Sequence, residues 1–306
     1  MSRAKGNLVG VDIGGTKIRA VMCTPDFKIV ADAEAPTPAR EGGAMMAEVV
    51  HSLVEKLQGE GHGNPVAIGL GAAGVIDSAN GVVRVASDSF SGWAGYPVTD
   101  RLQQLTGVPV TLGNDVNSFL QGEVTAGAVR GEGDVLAMML GTGVGGALRL
   151  GGALFEGGHG GAGEIGHVPG FGNDLCSCGG RGHLETLASG RSIARRYQER
   201  TGREMVAAEV ADLARGGDVW AEEIFATAGR GVARAISMVA GLLDIDAVVI
   251  GGGVSGAWDL LEPAVLGELR DAPPVNGRMP HIRRSSLGAD AAALGAAVLA
   301  VDAAGR

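Results

Sequence analysis

Apolar positions occur along the chain in short runs that glycine-rich turns separate. Residues 7–12 and 18–23 are predicted strands on either side of the polar turn 14–17. Apolar side chains three and four residues apart predict an amphipathic helix at 44–58. Further predicted elements are strands at 66–71 and 109–112, a glycine-rich turn at 71–74, and helices at 97–106 and 116–127. This order of strands and helices indicates an α/β fold.

The arrangement of strand, glycine turn and strand occurs again in the second half of the chain. A strand is predicted at 134–140, a glycine-rich turn at 141–146 and a strand at 147–150. This similarity is a weak internal repeat. Beyond it we expect an irregular insertion rich in Gly, His and Cys at 151–186, helices to about 243, a buried strand at 246–250 and a turn at 251–253. Residues 290–301 are almost wholly Ala, Leu and Val, which predicts a helix buried on most sides.

Composition narrows the class of protein. The chain has 306 residues, 45% of them hydrophobic, which suffices for a large core and suggests two domains. Its 54 Gly and 11 Pro stay below the roughly 25–30% that marks low-complexity chains. The net charge of −9 argues against nucleic acid or an anionic membrane as a partner, because both attract clustered Lys and Arg.

Neither a secretory signal nor a membrane span is predicted. The first apolar stretch stops at Asp12, and the most apolar windows fall short of 18 uninterrupted apolar residues. The three cysteines do not form a disulfide framework, because Cys23 stands alone and Cys176 and Cys178 are too close to bridge comfortably. We therefore expect a cytoplasmic protein.

The turn after the first strand reads Asp-Ile-Gly-Gly-Thr-Lys. Its glycines are expected to adopt positive φ and to let backbone N–H groups approach an anion, with Thr16 and Lys17 supplying a hydroxyl and a charge. A plain hairpin turn explains this motif alone equally well. A second such turn at 141–146 favours a polyphosphate site. Neither turn matches a P-loop or a dinucleotide fingerprint.

Asn114 and Asp115 follow the predicted strand at 109–112, at the end of a strand where α/β sheets bind ligands. A carboxylate at this position could act as a general base, and Asp115 is the candidate. From the residues alone, the better explanation of Asn-Asp is a cap on the helix at 116.

Four potential metal ligands, two His and two Cys, lie within 17 residues. They are His167, Cys176, Cys178 and His183. Such a set suits a closed tetrahedral zinc site, which would be structural because no coordination position is left for water.

Five motifs occur together in the order of one known family. They are Asp-Ile-Gly-Gly-Thr-Lys at 12–17, Gly-Asn-Asp-Val-Asn at 113–117, Gly-Thr-Gly-Val-Gly-Gly at 141–146, Gly-Glu-Ile-Gly-His at 163–167 and Cys-Ser-Cys-Gly-Gly-Arg-Gly-His-Leu-Glu at 176–185. From about residue 7 to 300 the chain resembles the ROK family of sugar kinases and repressors. The fourth and fifth motifs together are highly specific, whereas each glycine loop alone is weak.

The resemblance implies a two-domain, actin-like or hexokinase-type α/β ATPase fold with a cleft between the domains. A small domain would span 1–117, with a C-terminal helix at about 290–306 packed on it, and a large domain 118–289 would contain the zinc-binding insertion 151–186. A homodimer or homotetramer is the habit of the family.

The resemblance also implies ATP- and Mg²⁺-dependent phosphorylation of a hexose, most simply glucose, at its 6-hydroxyl. Asp115 would be the base, and the sugar would contact Asn114, Glu164, His167 and Glu185. The implied cofactor-binding residues are Asp12, Gly14, Gly15, Thr16, Lys17, Thr142, Gly143, Gly252 and Gly253. Structural zinc would use the four ligands above, with His183 where the family usually has Cys.

Several alternatives stay open. The hexose could be N-acetylmannosamine, N-acetylglucosamine, mannose or fructose, and the stretch 87–93 departs from a pattern associated with glucokinases. Polyphosphate could serve as donor, or the protein could be a catalytically idle sugar sensor. A DNA-binding regulator is not expected, because only about six residues precede the first strand. Trp93 is either near the sugar or a plain core residue.

Overall fold

The computed structural model describes residues 6–86, 89–275 and 277–301. Contacts divide the chain into two compact units. Unit 1 comprises the chain up to residue 131, residues 156–161 and the chain from residue 285; unit 2 comprises 132–155 and 162–284. The helix that contains residue 117 lies wholly in unit 1, so the two units do not divide at the expected boundary after that residue. Residues 156–161, which are part of the expected insertion 151–186, belong to unit 1.

Unit 1 is built on a five-stranded sheet in the order β3-β2-β1-β4-β7. Strands and helices are numbered in chain order, and these five are β1 (Leu8–Ile13), β2 (Lys17–Cys23), β3 (Ile29–Pro36), β4 (Ala67–Ala72) and β7 (Val110–Asn114). The three strands β1, β4 and β7 are parallel, whereas β2 and β3 are antiparallel to their neighbours. A separate hairpin joins β5 (Val75–Asp77) and β6 (Val82–Val85).

Four helices pack on this sheet, and they are α1 (Gly43–Leu57), α2 (Val98–Thr106), α3 (Asp115–Ala126) and α9 (Ala291–Leu299). Helix α9 lies close to β1 and β4 because Gly10 and Gly69 have no side chain. A Cβ atom on either glycine would overlap the α9 backbone at Ala293 or Ala296. Close packing therefore explains both glycines.

Glu123 is a buried residue of α3 that binds two segments of the chain. Both segments lie next to points where the chain passes from one unit to the other. Glu123 accepts hydrogen bonds from Ala128 N at 2.7 Å, Ser285 Oγ at 2.6 Å and Leu287 N at 3.1 Å. Residues 128 and 285–287 adjoin the crossings at 131/132 and 284/285. One charged group thus holds both segments against α3.

Unit 2 has a second five-stranded sheet, in the order β10-β9-β8-β11-β12. Its strands are β8 (Val135–Leu140), β9 (Val144–Leu150), β10 (Ala153–Phe155), β11 (Ala247–Gly251) and β12 (His281–Arg284). Strands β8, β11 and β12 are parallel, and β9 and β10 are antiparallel. The sheet has the topology of unit 1, so the weak repeat in the sequence corresponds to two sheets of one design.

The helices of unit 2 are α4 (Glu185–Ala188), α5 (Gly190–Thr201), α6 (Ala207–Arg215), α7 (Val219–Leu243) and α8 (Trp258–Asp271). They form a core of Leu, Ile, Val and Ala with the sheet. No helix of the described residues has the length and apolar content needed to cross a bilayer.

Most predicted elements agree with the structure to within two residues. Strand β9 is different, since it begins at residue 144, inside the predicted turn. The prediction missed β3, β10, β12, the β5-β6 hairpin and helix α8. The stretch 87–93 is described only in part, and residues 302–306, the expected end of the last helix, lie outside the described residues.

Candidate active site

Two carboxylates lie at the carboxyl ends of the parallel strands of unit 1. Asp12 is the second-last residue of β1, and Asp115 follows β7 as the first residue of α3. Both side chains are partly buried. Ligands of α/β sheets bind at this end of the strands, so the sheet places both groups where the sequence predicted them.

Asn114 is the N-cap of α3. Its Oδ1 accepts hydrogen bonds from Val116 N at 2.9 Å and Asn117 N at 3.1 Å, and its Nδ2 donates to Gly74 O at 3.2 Å. The capping explanation is thus correct for the amide oxygen. Capping fixes the start of α3 and with it the position of Asp115, whose Oδ1 accepts from Val116 N at 3.0 Å.

Asp12 is held in a setting that disfavours its charged form. Burial, and secondarily the negative charge of Asp115, raise its pKa to about 7, although Lys17 opposes this shift. A carboxylate in this state gains most from a nearby cation. Asp12 therefore fits the metal-orienting position that the family resemblance implies.

The turn at 14–17 is exposed, and its glycines do not need positive φ, contrary to the sequence expectation. Gly14 N donates to Lys17 O at 3.1 Å, and a Cβ on Gly14 would lie only 3.0 Å from that oxygen. Thr37 Oγ1 donates to Gly14 O at 2.7 Å. Tightness of the turn, and not its φ angles, accounts for Gly14.

Lys17 forms an ion pair with Glu34 across the β2-β3 pair, with Nζ 3.0 Å from Oε2. Both side chains are about half exposed. An exposed pair of this kind contributes little to stability, so Lys17 could exchange Glu34 for a phosphate at low cost.

Unit 2 contains a cavity of about 680 Å³ beside the loop between β8 and β9. Gly141, Thr142 and Gly253 line one side of it, and apolar side chains of α6 and α7, among them Ala207 and Phe225, line another. Its size is that of a site for a small organic ligand. Backbone groups on one side and apolar walls on the other suit a nucleotide.

The turn after β11 approaches this cavity through Gly253, whereas Gly252 has a different role. Gly252 has a φ of 83°, and a Cβ on it would lie 2.5 Å from Leu140 O. Gly252 therefore allows the two loops after β8 and β11 to pack together and is not among the residues that line the cavity.

Glu185 connects the β8-β9 loop to the loop that carries the cysteines. It is buried at the start of α4, and its Oε2 accepts from Val144 N at 3.1 Å. Its Oε1 accepts from Ser177 Oγ at 2.5 Å. A Cβ on Gly143 would lie 2.5 Å from Oε2, so this glycine makes room for the carboxylate. Glu185 is also the first residue of α4.

Glu164 and His167 belong to a short turn that packs on the first residues of β9. Glu164 is exposed, and His167 is partly buried in a single 3₁₀ turn. Gly163 and Gly166 permit this packing, since a Cβ on either would meet backbone atoms of Gly146 or Val144. The glycines of the Gly-Glu-Ile-Gly-His motif thus let the turn that carries Glu164 and His167 pack against β9.

The four predicted metal ligands come together in unit 2. The candidate ligand atoms of His167, Cys176, Cys178 and His183 all lie within 4.8 Å of one another. Cys176 Sγ is 3.7 Å from His167 Nδ1, and Cys178 Sγ is 3.2 Å from His183 Nδ1. Sulfur and nitrogen ligands of tetrahedral zinc are separated by about 3.5 Å, and these two S···N distances are close to that value, so the four residues form a candidate zinc site.

Two further observations concern residues outside the predicted site. Trp93 is 2% exposed and stacks on Tyr96, with ring centroids 6.5 Å apart, so it is a core residue. Arg191, in the first turn of α5, lines the cavity and donates to Thr142 O, and it is not among the residues predicted from the sequence. The Ser-Gly pair at 189–190 is a sequence signal for the start of α5, and therefore for Arg191 in its first turn.

Two sheets of one topology, with glycine turns after β1 and β8, define the α/β fold of the actin-like, hexokinase-type ATPases. Known structures share this fold over nearly the whole chain. The ROK hexokinase of Thermus thermophilus is 35% identical with a TM-score of 0.83, covering 95% of this chain and 97% of that one. A ROK family glucokinase of Streptomyces griseus, solved in complex with glucose and AMPPNP, is 30% identical with a TM-score of 0.83, covering 96% and 99%.

The chain belongs to the ROK family, whose model matches residues 8–303. A glucokinase of Halalkalibacterium halodurans is 35% identical over 94% of this chain and 92% of that protein. An N-acetylmannosamine kinase of Escherichia coli is 33% identical over 95% and 97%. The family and the fold that the motifs predicted are confirmed.

Proposed function

We propose that the protein is an ATP-dependent hexose kinase that phosphorylates the 6-hydroxyl of glucose. Relatives named glucokinase that match nearly the whole chain support this activity. The observation that carries the mechanism is the position of Asp115, a carboxylate fixed by the capped start of α3 at the carboxyl end of β7.

Asp115 would act as the general base. Its carboxylate accepts the proton of the 6-hydroxyl as the oxygen attacks the terminal phosphoryl group of the donor. The helix cap at Asn114 holds Asp115 in one position, which reduces the entropy that must be lost before reaction. The hydrogen bond that its Oδ1 accepts from Val116 N further restricts the side chain.

In unit 1 Asn114 would contact the sugar. In unit 2 the sugar-binding residues would be Glu164, His167 and Glu185, whose carboxylates accept hydrogen bonds from hydroxyl groups. Carboxylate oxygens can each accept more than one bond, so Glu185 can accept from sugar hydroxyls beside Val144 and Ser177. Asn114 would contribute its Nδ2 group, because its oxygen caps α3. This division of donors and acceptors suits a polyol.

ATP would be the donor. In unit 2 its nucleoside would occupy the cavity beside Gly253, and Thr142 and Gly143 would bind phosphates; in unit 1 the turn Gly14, Gly15, Thr16 and Lys17 would also bind phosphates. The apolar walls of the cavity favour a nucleoside over polyphosphate, which has no apolar part. Mg²⁺, when bound, supplies positive charge that stabilises the phosphoryl oxygens, and Asp12 would orient it.

Zinc would be structural and would be held by His167, Cys176, Cys178 and His183. The same loop carries Ser177, which binds Glu185, so a fixed loop keeps the sugar-binding carboxylate in place. The three cysteines are free thiols, which suits the reducing conditions of a cytoplasmic location. Assembly as a homodimer or homotetramer is part of the same proposal.

A panel of hexoses with ATP or polyphosphate, followed by ³¹P NMR of the product, tests this function. We expect glucose and ATP to give the highest kcat/KM and phosphate on the 6-hydroxyl. Preference for N-acetylmannosamine would favour the second candidate, for which the E. coli relative is the supporting observation. Binding of sugar and nucleotide without turnover would contradict a kinase and indicate an idle sensor.

A further inference from the structure

Arg191 is the first charged residue of α5, and it lies at one edge of the cavity in unit 2. Its Nε donates to Thr142 O at 3.0 Å. Its Nη2 is 3.5 Å from Glu185 Oε1 and 3.5 Å from Ser177 Oγ. One guanidinium group therefore contacts both the proposed phosphate loop and the proposed sugar-binding carboxylate.

The charge of Arg191 is less compensated than that of the other arginine lining the cavity. Arg215 forms two hydrogen bonds with Asp259, at 2.9 and 3.0 Å, and a third with Asp212 at 3.0 Å. The closest partner of Arg191 is a neutral carbonyl, its carboxylate contact is long, and 59% of its side chain is exposed. Arg191 thus retains N–H groups and charge for an anion.

Its place in the helix is unfavourable for stability. A cation in the first turn adds to the positive end of the helix dipole, where acidic side chains are stabilising. The first turn of α5 contains no acidic residue. Helix stability therefore does not explain why residue 191 is an arginine. An anion beside Arg191 would be stabilised by both the guanidinium group and the N-terminus of the helix.

We propose that Arg191 binds the terminal phosphates of the donor and so makes the cavity select nucleoside di- and triphosphates over monophosphates. The inference rests on the proposed function. The apolar walls accept the nucleoside, and Arg191 lies on the side of Glu185, where the acceptor sugar would bind. The phosphate nearest Arg191 is therefore one at the acceptor end of the chain, and the guanidinium can bind it in a bidentate manner.

Calorimetric titration of AMP, ADP and AMPPNP into the purified protein tests the proposal without turnover. For Arg191→Ala we expect affinity for ADP and AMPPNP to fall about 10- to 100-fold, as for loss of a charged hydrogen-bond partner, with AMP changed less than about threefold. Arg191→Lys should restore part of the loss, because it keeps the charge but not the bidentate geometry.

Arg200→Ala is the matched control. It removes an arginine from the same helix at a site outside the cavity, where Arg200 lies over the ring of Trp220. We expect its nucleotide affinities to equal those of the unsubstituted protein. Equal losses for AMP and AMPPNP in Arg191→Ala, or no loss for either, would overturn the assignment while the kinase function stands. Failure of the unsubstituted protein to bind any nucleotide would overturn both.

Discussion

Glu185 Oε2 accepts a hydrogen bond from the backbone N–H of Val144 at 3.1 Å. The bond joins the start of α4 to the loop between β8 and β9. It depends on Gly143, because any side chain there would occupy the space of the carboxylate. The proposed sugar and phosphate sites of unit 2 thus share one buried group.

Gly143→Ala should therefore impair activity more than stability. A Cβ 2.5 Å from Oε2 forces the loop or the carboxylate to shift, and a displacement of this kind reduces kcat/KM roughly 10- to 100-fold. Steady-state kinetics with glucose and ATP measure the effect. Gly267→Ala, on α8, is the matched control, since nothing lies within 4 Å of its Cβ. Unchanged kcat/KM in Gly143→Ala would disprove the coupling.

Asp115→Asn should lower kcat by about 10²- to 10⁴-fold, because the amide cannot accept the proton of the sugar hydroxyl. Sugar affinity, measured by calorimetry, should stay within a few-fold. Asp100→Asn, an exposed residue in the first turn of α2, provides the control for loss of a carboxylate. Near-normal turnover in Asp115→Asn would contradict the assignment of Asp115 as the general base.

The raised pKa of Asp12 should make the ligand-free protein less stable as pH rises. Between its ordinary pKa of 3.8 and the folded value of about 7, the folded state binds more protons than the unfolded state, so the free energy of unfolding decreases with pH. Asp12→Asn lacks this ionisation. Its stability relative to the unsubstituted protein should increase by up to about 3 kcal/mol from pH 5 to pH 8.

Urea denaturation at both pH values, without Mg²⁺ or nucleotide, measures this difference. Asp115→Asn should reduce the pH dependence without removing it, because burial is the larger cause of the shift and the charge of Asp115 the smaller. A stability difference between Asp12→Asn and the unsubstituted protein that stays constant with pH would show that Asp12 titrates normally.

The purified protein should contain about one zinc per chain. Cys178→Ser and His183→Ala should each lose most of it and lower Tm by roughly 5–10 °C, because loss of a structural metal costs several kcal/mol. Elemental analysis and thermal unfolding measure the two effects. Leu175→Ser changes an exposed residue of the same loop and should keep the metal. Well under one zinc per chain before substitution would refute the site.

Two glycines in helices should respond oppositely to the same substitution. Gly267→Ala should stabilise the protein by about 1 kcal/mol, because alanine favours helix and its Cβ meets open space. Gly229→Ala should destabilise it by about 1–3 kcal/mol, because a Cβ would lie 2.7 Å from Leu261 O on α8. Chemical denaturation of both variants checks the signs, and stabilisation by Gly229→Ala would contradict the close packing of α7 on α8.

The sequence predicted the interior of both sheets better than their edges. Strand β8 is a continuous apolar run and β1 is apolar up to Asp12, so the local pattern identifies both. Strand β3 carries Asp32 and Glu34 at an edge, and β12 is largely exposed with two arginines. These edge strands form because an adjacent strand of the sheet pairs with their backbone. The local sequence does not reveal this pairing.

At the candidate site, the motifs predicted the position of Asp115 at a strand end and the grouping of the four candidate metal ligands, since each lies within a short stretch of chain. The sequence could not place Arg191 beside Thr142, because 49 residues separate them and only the packing of α5 brings them together. Nor could it show that Lys17 pairs with Glu34, which depends on the unpredicted strand β3.

The position of α9 has a consequence for the order in which the protein is made. The ribosome delivers β1 and β4 early, yet the helix that covers Gly10 and Gly69 is translated only after every residue of unit 2. Until then one face of the first sheet lacks its partner. The sheet of unit 1 can therefore be completed only after the whole of unit 2 has been synthesised.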